Sequence, residues 1–351
     1  MRRSLLPLLL VLLPLQPTAA DSLADAVSDL DLPPALDAAL VVDGEICGLG
    51  LGAGDDVSYP RFHAASITKL ITTIAVFRLV EAERLRLEDR VGDYVEGFED
   101  SPITIEQLLT HTSGLRDSQR ADGRVSREDV DKYVGSLSRQ RTAGRAKWLY
   151  ADANFNLLGR VIEEVADRPY ADFVDDAVLD ALDMGGSTFT LFHIPDADRV
   201  PSFDKRGRSL RHPWDRAFLP SSGLQTTAGE LMLFADAILD IADGATDGVV
   251  QPASLRTMTT EVVDTNWNGV AQGYGWQLAT SDAGRVWRHA GGEAGFESLL
   301  TIYPEKGLAI AVLGNRKDWP RFELERRLRE WALNNPGACR SADTRTAAND
   351  G

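Results

Sequence analysis

The sequence is poor in the side chains that most often hold metal ions, since its 351 residues include two cysteines and five histidines. The histidines are scattered along the chain, and no histidine lies at zinc-ligand spacing from either cysteine. The HExxH motif and the GxSxG nucleophile elbow are both absent. The sequence therefore implies no metal and no organic cofactor. A Ser-His-Asp triad is compatible with the sequence, although no motif indicates one.

Lysine is also scarce, with six residues against 31 arginines. The 37 basic residues are outnumbered by 53 acidic residues, which gives a net charge of −16. This charge repels phosphate backbones and anionic lipid surfaces, so we expect no nucleic-acid partner. The few lysines shorten the list of candidates for any chemistry that arginine cannot perform.

The composition is that of a globular protein, with 44% hydrophobic and 26% charged residues. It excludes disordered and fibrous classes. The chain is long enough for one large domain or two small ones with a well-buried core.

Residues 1–20 have the layout of a secretory signal peptide. Arg2 and Arg3 precede an apolar run from Leu5 to Leu15, and small residues end at Ala20. The run is about half of the ~20 residues that a membrane-spanning helix needs, and it contains prolines. We therefore expect cleavage near Ala20 and export, most simply to a bacterial periplasm, as a monomer without a stable membrane anchor.

The two cysteines, Cys47 and Cys339, can form one disulfide in an oxidising compartment. Such a bond would join the two ends of the chain. Two unpaired thiols are equally compatible with the sequence.

Strand patterns occur at both ends of the chain and helical patterns lie between them. Residues 36–51 form a strand region in which Gly48 and Gly50 indicate a hairpin turn, since the spacing of the glycines does not fit a dinucleotide-binding loop. Four β-prone runs between residues 274 and 315 predict an antiparallel meander. Helices are predicted over 66–85, 103–111, 126–137, 154–166, 170–182, 228–242 and 320–333, and residues 193–216 are predicted to form surface loops.

These patterns predict an α/β protein of the α+β type. An antiparallel sheet is built from both chain ends and flanked by helices, with an inserted, mainly helical lobe. We expect a single domain over 21–340, in which the α/β lobe spans about 34–62 plus 270–338 and the helical lobe spans about 63–269. Residues 341–351 are expected to be a disordered tail, and a site is expected between the lobes.

Ser66 and Lys69 stand three residues apart at the start of the buried helix over 66–85. At this spacing the two side chains share a face, so the lysine nitrogen can reach the hydroxyl. The backbone N–H groups of a helix N-terminus also stabilise negative charge on the serine oxygen. The same spacing recurs at Ser202 and Lys205, but in a Pro- and Asp-rich loop without a buried helix. Ser66 and Lys69 are therefore the candidates for nucleophilic catalysis.

Six segments resemble the serine β-lactamase and penicillin-recognising enzyme superfamily, and they follow in the order of that family. The branch with class C β-lactamases, D-Ala-D-Ala carboxypeptidases and esterases is the most similar. The segments are ASITKLIT around Ser66, LLTHTSGL at 108–115, WLYADANFNLLGRVIEEVA at 148–166, SSGLQTTAGELMLFADAIL at 221–239, GYGWQL at 273–278 and RHAGGEAGF at 288–296. The resemblance implies a β-lactamase/transpeptidase-like fold and a serine hydrolase.

The resemblance also assigns roles to matching positions. Ser66 is expected to be the acylated nucleophile, Lys69 its base or proton shuttle, and Tyr150 a proton relay to the leaving group. The backbone N–H groups of Ser66 and Gly292 are expected to form the oxyanion hole. The family's Lys-Thr-Gly or His-Thr-Gly element corresponds to His289-Ala290-Gly291, which with Asp152 is expected to bind substrate.

Two positions depart from the family's pattern. Asp152 replaces an asparagine, and a carboxylate beside Lys69 favours the protonated lysine and gives Tyr150 more of the base role. Ala290 removes a hydroxyl that helps to hold a substrate carboxylate, and a histidine at 289 is a weaker fixed cation than lysine.

These departures weaken the case for a dedicated β-lactamase and leave three substrate classes open. They are a D-Ala-D-Ala-type peptide, a small ester and a β-lactam, of which export and His289 favour the peptide. The alternatives are an esterase of the same family or a non-catalytic binding protein that retains the fold. His111 and Ser113 are expected to form loop structure near the site, and Trp276 and Trp287 to line the core or the cleft wall.

Overall fold

The computed structural model describes residues 25–51, 61–117, 126–140, 147–190, 199–211, 215–337 and 339. The strands are β1 (Leu36–Val42), β2 (Glu45–Leu51), β3 (Phe62–His63), β4 (Ser202–Phe203), β5 (Ser209–Leu210), β6 (Gln225–Thr226), β7 (Val263–Asp264), β8 (Val270–Gln272), β9 (Gln277–Ser281), β10 (Gly284–Glu293), β11 (Phe296–Tyr303) and β12 (Leu308–Gly314). The helices are α1 (Thr68–Glu81), α2 (Ile105–Leu109), α3 (Arg127–Ser138), α4 (Asp152–Ala166), α5 (Tyr170–Val174), α6 (Leu219–Ser222), α7 (Ala228–Asp243), α8 (Pro252–Met258) and α9 (Arg321–Asn334).

One eight-stranded antiparallel sheet combines the two ends of the chain, in the order β2-β1-β12-β11-β10-β9-β8-β7. Strand β1 pairs with β12, from Leu36 opposite Gly314 to Val42 opposite Leu308. Strands β9 to β12 follow one another as a meander, as predicted. The predicted fold class, an antiparallel sheet from both ends with helices between them in sequence, is confirmed.

Helices cover both faces of the sheet, which explains why β12 is buried at every position. Side chains of one face, such as Val41, Leu300 and Ala311, pack in the same core as α1 and α7. The opposite face packs with Leu324 and Leu328 of α9. The strands between the two helical layers therefore contain few polar residues.

The first hairpin turns at Asp43 and Gly44, which both have positive φ, at 51° and 77°. An Asp-Gly pair favours this kind of tight turn between twisted strands. Gly48 and Gly50 lie within β2 instead, opposite Ala39 and Asp37. The predicted turn at these two glycines is therefore wrong, because the turn residues are the Asp-Gly pair that precedes them.

The segments between the sheet strands are mainly helical, although one predicted helix is interrupted. Helix α5 ends at Val174 and continues as a π-helical turn and a 3₁₀ turn up to Leu182. The region 193–216, predicted as loops, contains the hairpin β4–β5 in its described part. Among the described residues no helix is long and apolar enough to cross a membrane.

The chain ends are joined by a disulfide between Cys47 of β2 and Cys339, whose Cα atoms are 5.3 Å apart. This is one of the two alternatives that the sequence left open. The predicted signal peptide over 1–20 and the predicted tail over 341–351 lie outside the described residues.

Candidate active site

Ser66 lies on a strained turn between β3 and α1. Ala65, just before it, has a φ of 48°, a left-handed conformation that costs an alanine about 1 kcal/mol or more. The N–H of Ala65 donates to Nδ1 of His63 at 2.9 Å, which holds this conformation. A 3₁₀ turn over Ala65–Ile67 then leads into α1. The serine is thus fixed at the start of a buried helix.

Strand β10 passes directly against this turn, and glycine is required at the crossing. A Cβ on Gly291 would lie 2.6 Å from the carbonyl oxygen of Ala64, closer than real contacts allow. Ser298 of β11 donates to the same carbonyl at 2.7 Å and ties the turn to the sheet. Gly292 follows Gly291, and a Cβ there would meet open space.

Among the described residues no strand pairs with the edge of β10 beside Ser66, since β9 pairs with β10 from Gly284 to Arg288. Residues 289–293 pair on their other side with β11. The structure thus brings Gly291 and Gly292 to an open strand edge next to the Ser66 turn. An oxyanion hole at Ser66 and Gly292 remains a prediction.

Lys69 donates three hydrogen bonds from its Nζ, which equals the number of N–H groups on an ammonium. The acceptors are Ser66 Oγ at 3.1 Å, Asp152 Oδ1 at 2.6 Å and the Ser221 carbonyl at 2.9 Å. The lysine side chain is 0% exposed and the Asp152 side chain is 23% exposed. A buried ion pair with short charge-assisted hydrogen bonds therefore lies beside the serine.

The pKa of Lys69 is raised above its ordinary value. Burial by itself lowers it, but the charges and hydrogen bonds of Asp152 and Tyr150 together raise it by more. Lys69 is consequently an ammonium in the resting site.

Ser221 reaches Lys69 through its backbone, which α6 presents to α1. Thr72, one turn further along α1, donates to the Pro220 carbonyl at 2.6 Å and holds α6 in place. A backbone carbonyl acceptor has no side-chain pattern, so Ser221 is not predicted as a site residue.

Tyr150 lies over Lys69, whose Nζ is 5.0 Å from the centre of the phenol ring. Burial raises the pKa of the Tyr150 hydroxyl, while Lys69 opposes the rise and Asp152 adds to it. The phenol is therefore protonated near neutral pH, which suits a proton donor better than a resting base.

His111 packs against Tyr150, with ring centres 4.5 Å apart. Its Nδ1 accepts the N–H of Ala151 at 3.3 Å and lies 3.0 Å from Nδ2 of Asn154. Ser113 donates to Asn154 Oδ1 at 2.5 Å. Burial and the charge of Lys69 lower the pKa of His111 well below its usual value. His111 and Ser113 thus belong to the loop that supports Tyr150.

His289 is buried and neutral. Burial, with the charge of Lys69, lowers the pKa of this imidazole to about 3. Its Nδ1 is 2.9 Å from the carbonyl of Ala290, which requires the proton on Nδ1. His289 cannot provide a fixed cation for a substrate carboxylate, and this removes one of the two reasons to favour the peptide.

Two tryptophans beside Tyr150 were not identified as site residues from the sequence. Trp148 and Trp267 lie with their ring centres 6.4 Å and 5.6 Å from that of Tyr150. Trp148 is two residues from Tyr150, but Trp267 is far away in sequence and no local pattern marks it. Trp276 and Trp287, in contrast, are buried, as expected for core residues.

The second serine-lysine pair, Ser202 and Lys205, has different surroundings from the first. Lys205 is exposed and its Nζ is 3.7 Å from Asp318. Ser202 is buried on the short strand β4. Elsewhere, no group of three or more His, Cys, Asp or Glu side chains within the described residues is placed to hold a metal ion.

Comparisons with known proteins agree with this architecture. The model of the β-lactamase family matches residues 60–334. The chain is 29% identical over 317 residues to penicillin-binding protein 4 of Amycolatopsis lactamdurans, covering 79% of both sequences. It is 26% identical over 282 residues to the D-alanyl-D-alanine-carboxypeptidase/endopeptidase AmpH of Escherichia coli, covering 74% of this chain and 72% of AmpH.

A solved structure shares the fold at lower identity. The β-lactamase/D-alanine carboxypeptidase from Pseudomonas syringae superposes with a TM-score of 0.74 at 17% identity, covering 87% of this chain and 96% of that one. The predicted class, a β-lactamase-related serine hydrolase, is confirmed at the level of the family. The chain belongs to the β-lactamase family.

Proposed function

We propose that this protein is an exported serine hydrolase that forms an acyl-enzyme on Ser66. The observation that carries the proposal is the hydrogen bond from Lys69 Nζ to Ser66 Oγ at 3.1 Å, inside a buried site. A serine hydroxyl becomes a nucleophile only when an adjacent group can take its proton.

The proton path follows from the three acceptors around Lys69. A carbonyl and a hydroxyl oxygen hold an extra proton poorly, so Asp152 is the acceptor that can take one from the ammonium. As the Ser66 oxygen attacks a carbonyl carbon, its proton moves to Lys69 Nζ while Lys69 passes one of its own to Asp152 Oδ1. Lys69 thus remains charged throughout, and the proton ends on the carboxylate.

The remaining groups complete the cycle. The backbone N–H groups of Ser66 and Gly292 stabilise the oxyanion, each worth about 3 kcal/mol in comparable hydrolases. Tyr150 donates its proton to the leaving group as the carbon–leaving group bond breaks. It regains a proton from Asp152 through Lys69. Water then attacks the acyl carbon and the bond from this carbon to Ser66 Oγ breaks. The same groups take a proton from the water and return one to Ser66 Oγ.

Three substrate classes remain candidates: a D-Ala-D-Ala peptide, a small ester and a β-lactam. The name of one curated relative, a D-alanyl-D-alanine-carboxypeptidase/endopeptidase, favours a D-Ala-D-Ala peptide, and the name of another, a penicillin-binding protein, favours a β-lactam. The neutral His289 and the missing hydroxyl at Ala290 favour a small ester, because both changes remove contacts for a substrate carboxylate.

A fluorophosphonate probe tests the acyl-enzyme proposal, since it reacts with activated serines and carries no carboxylate. We expect one adduct, located on Ser66 by mass spectrometry, and none in Ser66→Ala. Ser202→Ala is the matched control from the second serine-lysine pair and should be labelled like the wild type. A wild-type protein that stays unlabelled, or that is labelled elsewhere, would contradict the proposal. A fluorescent penicillin used in parallel reports whether β-lactams also acylate the site.

A further inference from the structure

An exposed tryptophan stands at the mouth of the site. Trp267 lies in the loop between β7 and β8, and 40% of the residue is exposed. Its ring contacts Trp148 edge to face, with the ring centres 4.9 Å apart. Its centre is also 5.6 Å from that of Tyr150, on which Lys69 lies. One aromatic surface thus runs from the solvent to the reacting groups.

Hydrogen bonds of its backbone hold the loop that carries Trp267. The backbone N–H of Trp267 donates to Thr265 Oγ1 at 3.0 Å. Its carbonyl accepts the N–H of Val270 at 3.2 Å, and Thr265 Oγ1 donates to the Val270 carbonyl at 2.6 Å. The indole Nε1–H of Trp148 donates a hydrogen bond to Gln272 Oε1 at 3.3 Å, which holds the Trp148 ring. The loop backbone at Trp267 and the ring of Trp148 are therefore preorganised, which lowers the entropic cost of binding against them.

The charges around this surface disfavour an anionic substrate. Lys69 is paired with Asp152, and His111 and His289 are neutral. Arg321 donates to the Gly291 carbonyl at 2.7 Å and lies 3.4 Å from Glu297. Lys69 and Arg321 are therefore already paired, and the two histidines add no positive charge.

The outer side of the same loop is acidic. Trp267 lines a groove of about 710 Å³ along β7, β8 and β9. The described residues that line this groove include the carboxylates of Glu261 and Asp264 and no basic side chain. A carboxylate on the substrate would be repelled here, whereas an uncharged ring would cover apolar surface.

We propose that Trp267 and Trp148 form a subsite for the uncharged aromatic leaving group of an ester. This inference rests on the proposed acyl-enzyme function and names its substrate class as neutral esters of aromatic alcohols. The subsite adjoins Tyr150, the proton donor to the leaving group, so it holds the alcohol part of the ester. Ser66 Oγ bonds to the acyl carbon, the ester C–O bond breaks, and the departing alcohol oxygen takes the Tyr150 proton.

Three acetate esters test the subsite: ethyl, benzyl and 4-carboxybenzyl acetate. Ethanol and benzyl alcohol are both primary alcohols, so the comparison measures the binding of the ring more than the chemical reactivity of the ester. We expect kcat/KM for benzyl acetate to exceed that for ethyl acetate by about tenfold. This is the gain expected when one aromatic ring is buried and stacks on another. The 4-carboxybenzyl ester should lose this advantage.

The variants separate aromatic stacking from a general disturbance. In Trp267→Ala the preference for benzyl over ethyl acetate should fall about tenfold, and Trp267→Phe should restore most of it. Phe322→Ala is the matched control, because Phe322 is also an exposed aromatic residue, at 48%, but packs on Arg288 and Arg321 instead. It should keep the wild-type preference.

The outcomes distinguish this inference from the proposed function. Equal rates for benzyl and ethyl acetate, or an unchanged preference in Trp267→Ala, overturn the aromatic subsite while hydrolysis stays dependent on Ser66. A 4-carboxybenzyl ester that is hydrolysed faster than the benzyl ester overturns the neutral substrate class. Hydrolysis that persists in Ser66→Ala overturns the proposed function itself.

Discussion

Two ion-pair systems of this protein have similar geometry and opposite surroundings. Lys69 and Asp152 form one contact of 2.6 Å, with the lysine fully buried beside Ser66. On α9, Arg326 and Arg327 both contact Glu323, at 2.6 Å and 3.0 Å, with side chains open to solvent. The first pair lies next to the proposed chemistry, and the second lies on the outer surface of the helix.

The comparison shows that burial, more than distance, determines what an ion pair does. Water and salt screen the α9 pairs, so such contacts contribute little to stability. The pKa of Glu323 is lowered to about 2 by hydrogen bonds from Arg326 and Arg327, yet this carboxylate is ionised at neutral pH in either case. Around Lys69, in contrast, the same kind of contact decides whether a base is available.

Asp152→Asn is the sharpest way to break the buried pair, and we expect it to have the largest effect. The proton acceptor for Lys69 is lost, so kcat/KM at pH 7 should fall by about a hundredfold or more. The variant should then regain activity as the pH rises, because burial without the carboxylate lowers the pKa of Lys69 and frees the amine. The wild type should show no such rise. The pH dependence of ester hydrolysis measures both effects.

The same substitution should change how stability depends on pH. In the wild type the raised pKa of Lys69 contributes stability that is present below about pH 10.5 and is lost only above it. In Asp152→Asn an unpaired buried charge costs about 3–5 kcal/mol at neutral pH, and this cost shrinks as the pH rises toward 10.5. Thermal unfolding across pH 7–10 tests the sign.

The double variant Lys69→Met/Asp152→Asn is the control for both measurements. It removes both charges and should recover stability but not activity. A rise in kcat/KM in Asp152→Asn at pH 7 would instead mark the carboxylate as an inhibitor of turnover, as expected for a binding protein that has lost its activity.

The fold was more predictable than the site. Alternating apolar runs near the C-terminus and the order of family segments were enough for the sheet, because pairing within a meander is local. The turn predicted at Gly48 and Gly50 is wrong. The Asp43-Gly44 pair has the stronger turn preference and forms the first hairpin turn.

The site was predictable where a side chain has a role in the proposed chemistry. Ser66, Lys69, Tyr150 and Asp152 were all named, and the structure brings them together. The Ser221 carbonyl was missed because a backbone acceptor depends on how α6 packs on α1. Trp267 was missed because its contact with Tyr150 depends on a tertiary approach of distant segments. The neutrality of His289 likewise follows from burial, which residue identity alone does not give.

Asp37 extends the comparison to a half-buried carboxylate that faces no described cation. It lies on β1 and accepts the N–H of Ala228, at the start of α7, at 2.6 Å. Burial raises the pKa of this carboxyl to about 6, although the hydrogen bond opposes the rise. The fold therefore favours the protonated form, and stability is lost as the pH rises from about 4 to above 6.

Asp37→Asn should remove this loss while keeping an oxygen that accepts the Ala228 N–H. From the shift of the pKa, we expect the variant to be more stable at pH 8 by about 3 kcal/mol, with the difference vanishing toward pH 4. Denaturant unfolding at the two pH values measures it. Asp37→Ala, which removes the acceptor, should gain less, and a less stable Asp37→Asn at pH 8 would show that the carboxylate is compensated.

Glu323→Gln sharpens the comparison from the exposed side and should have the smallest effect. The glutamine removes the carboxylate from both Arg326 and Arg327, yet these arginines keep Glu330 and Asp29 as partners. We expect little change in Tm at low salt and none at high salt, because mobile ions already screen these charges. A salt-independent loss of stability comparable to that of Asp152→Asn would show that the α9 network acts as one buried unit. Solvent exposure would then not explain the difference between the α9 ion pairs and the Lys69–Asp152 pair.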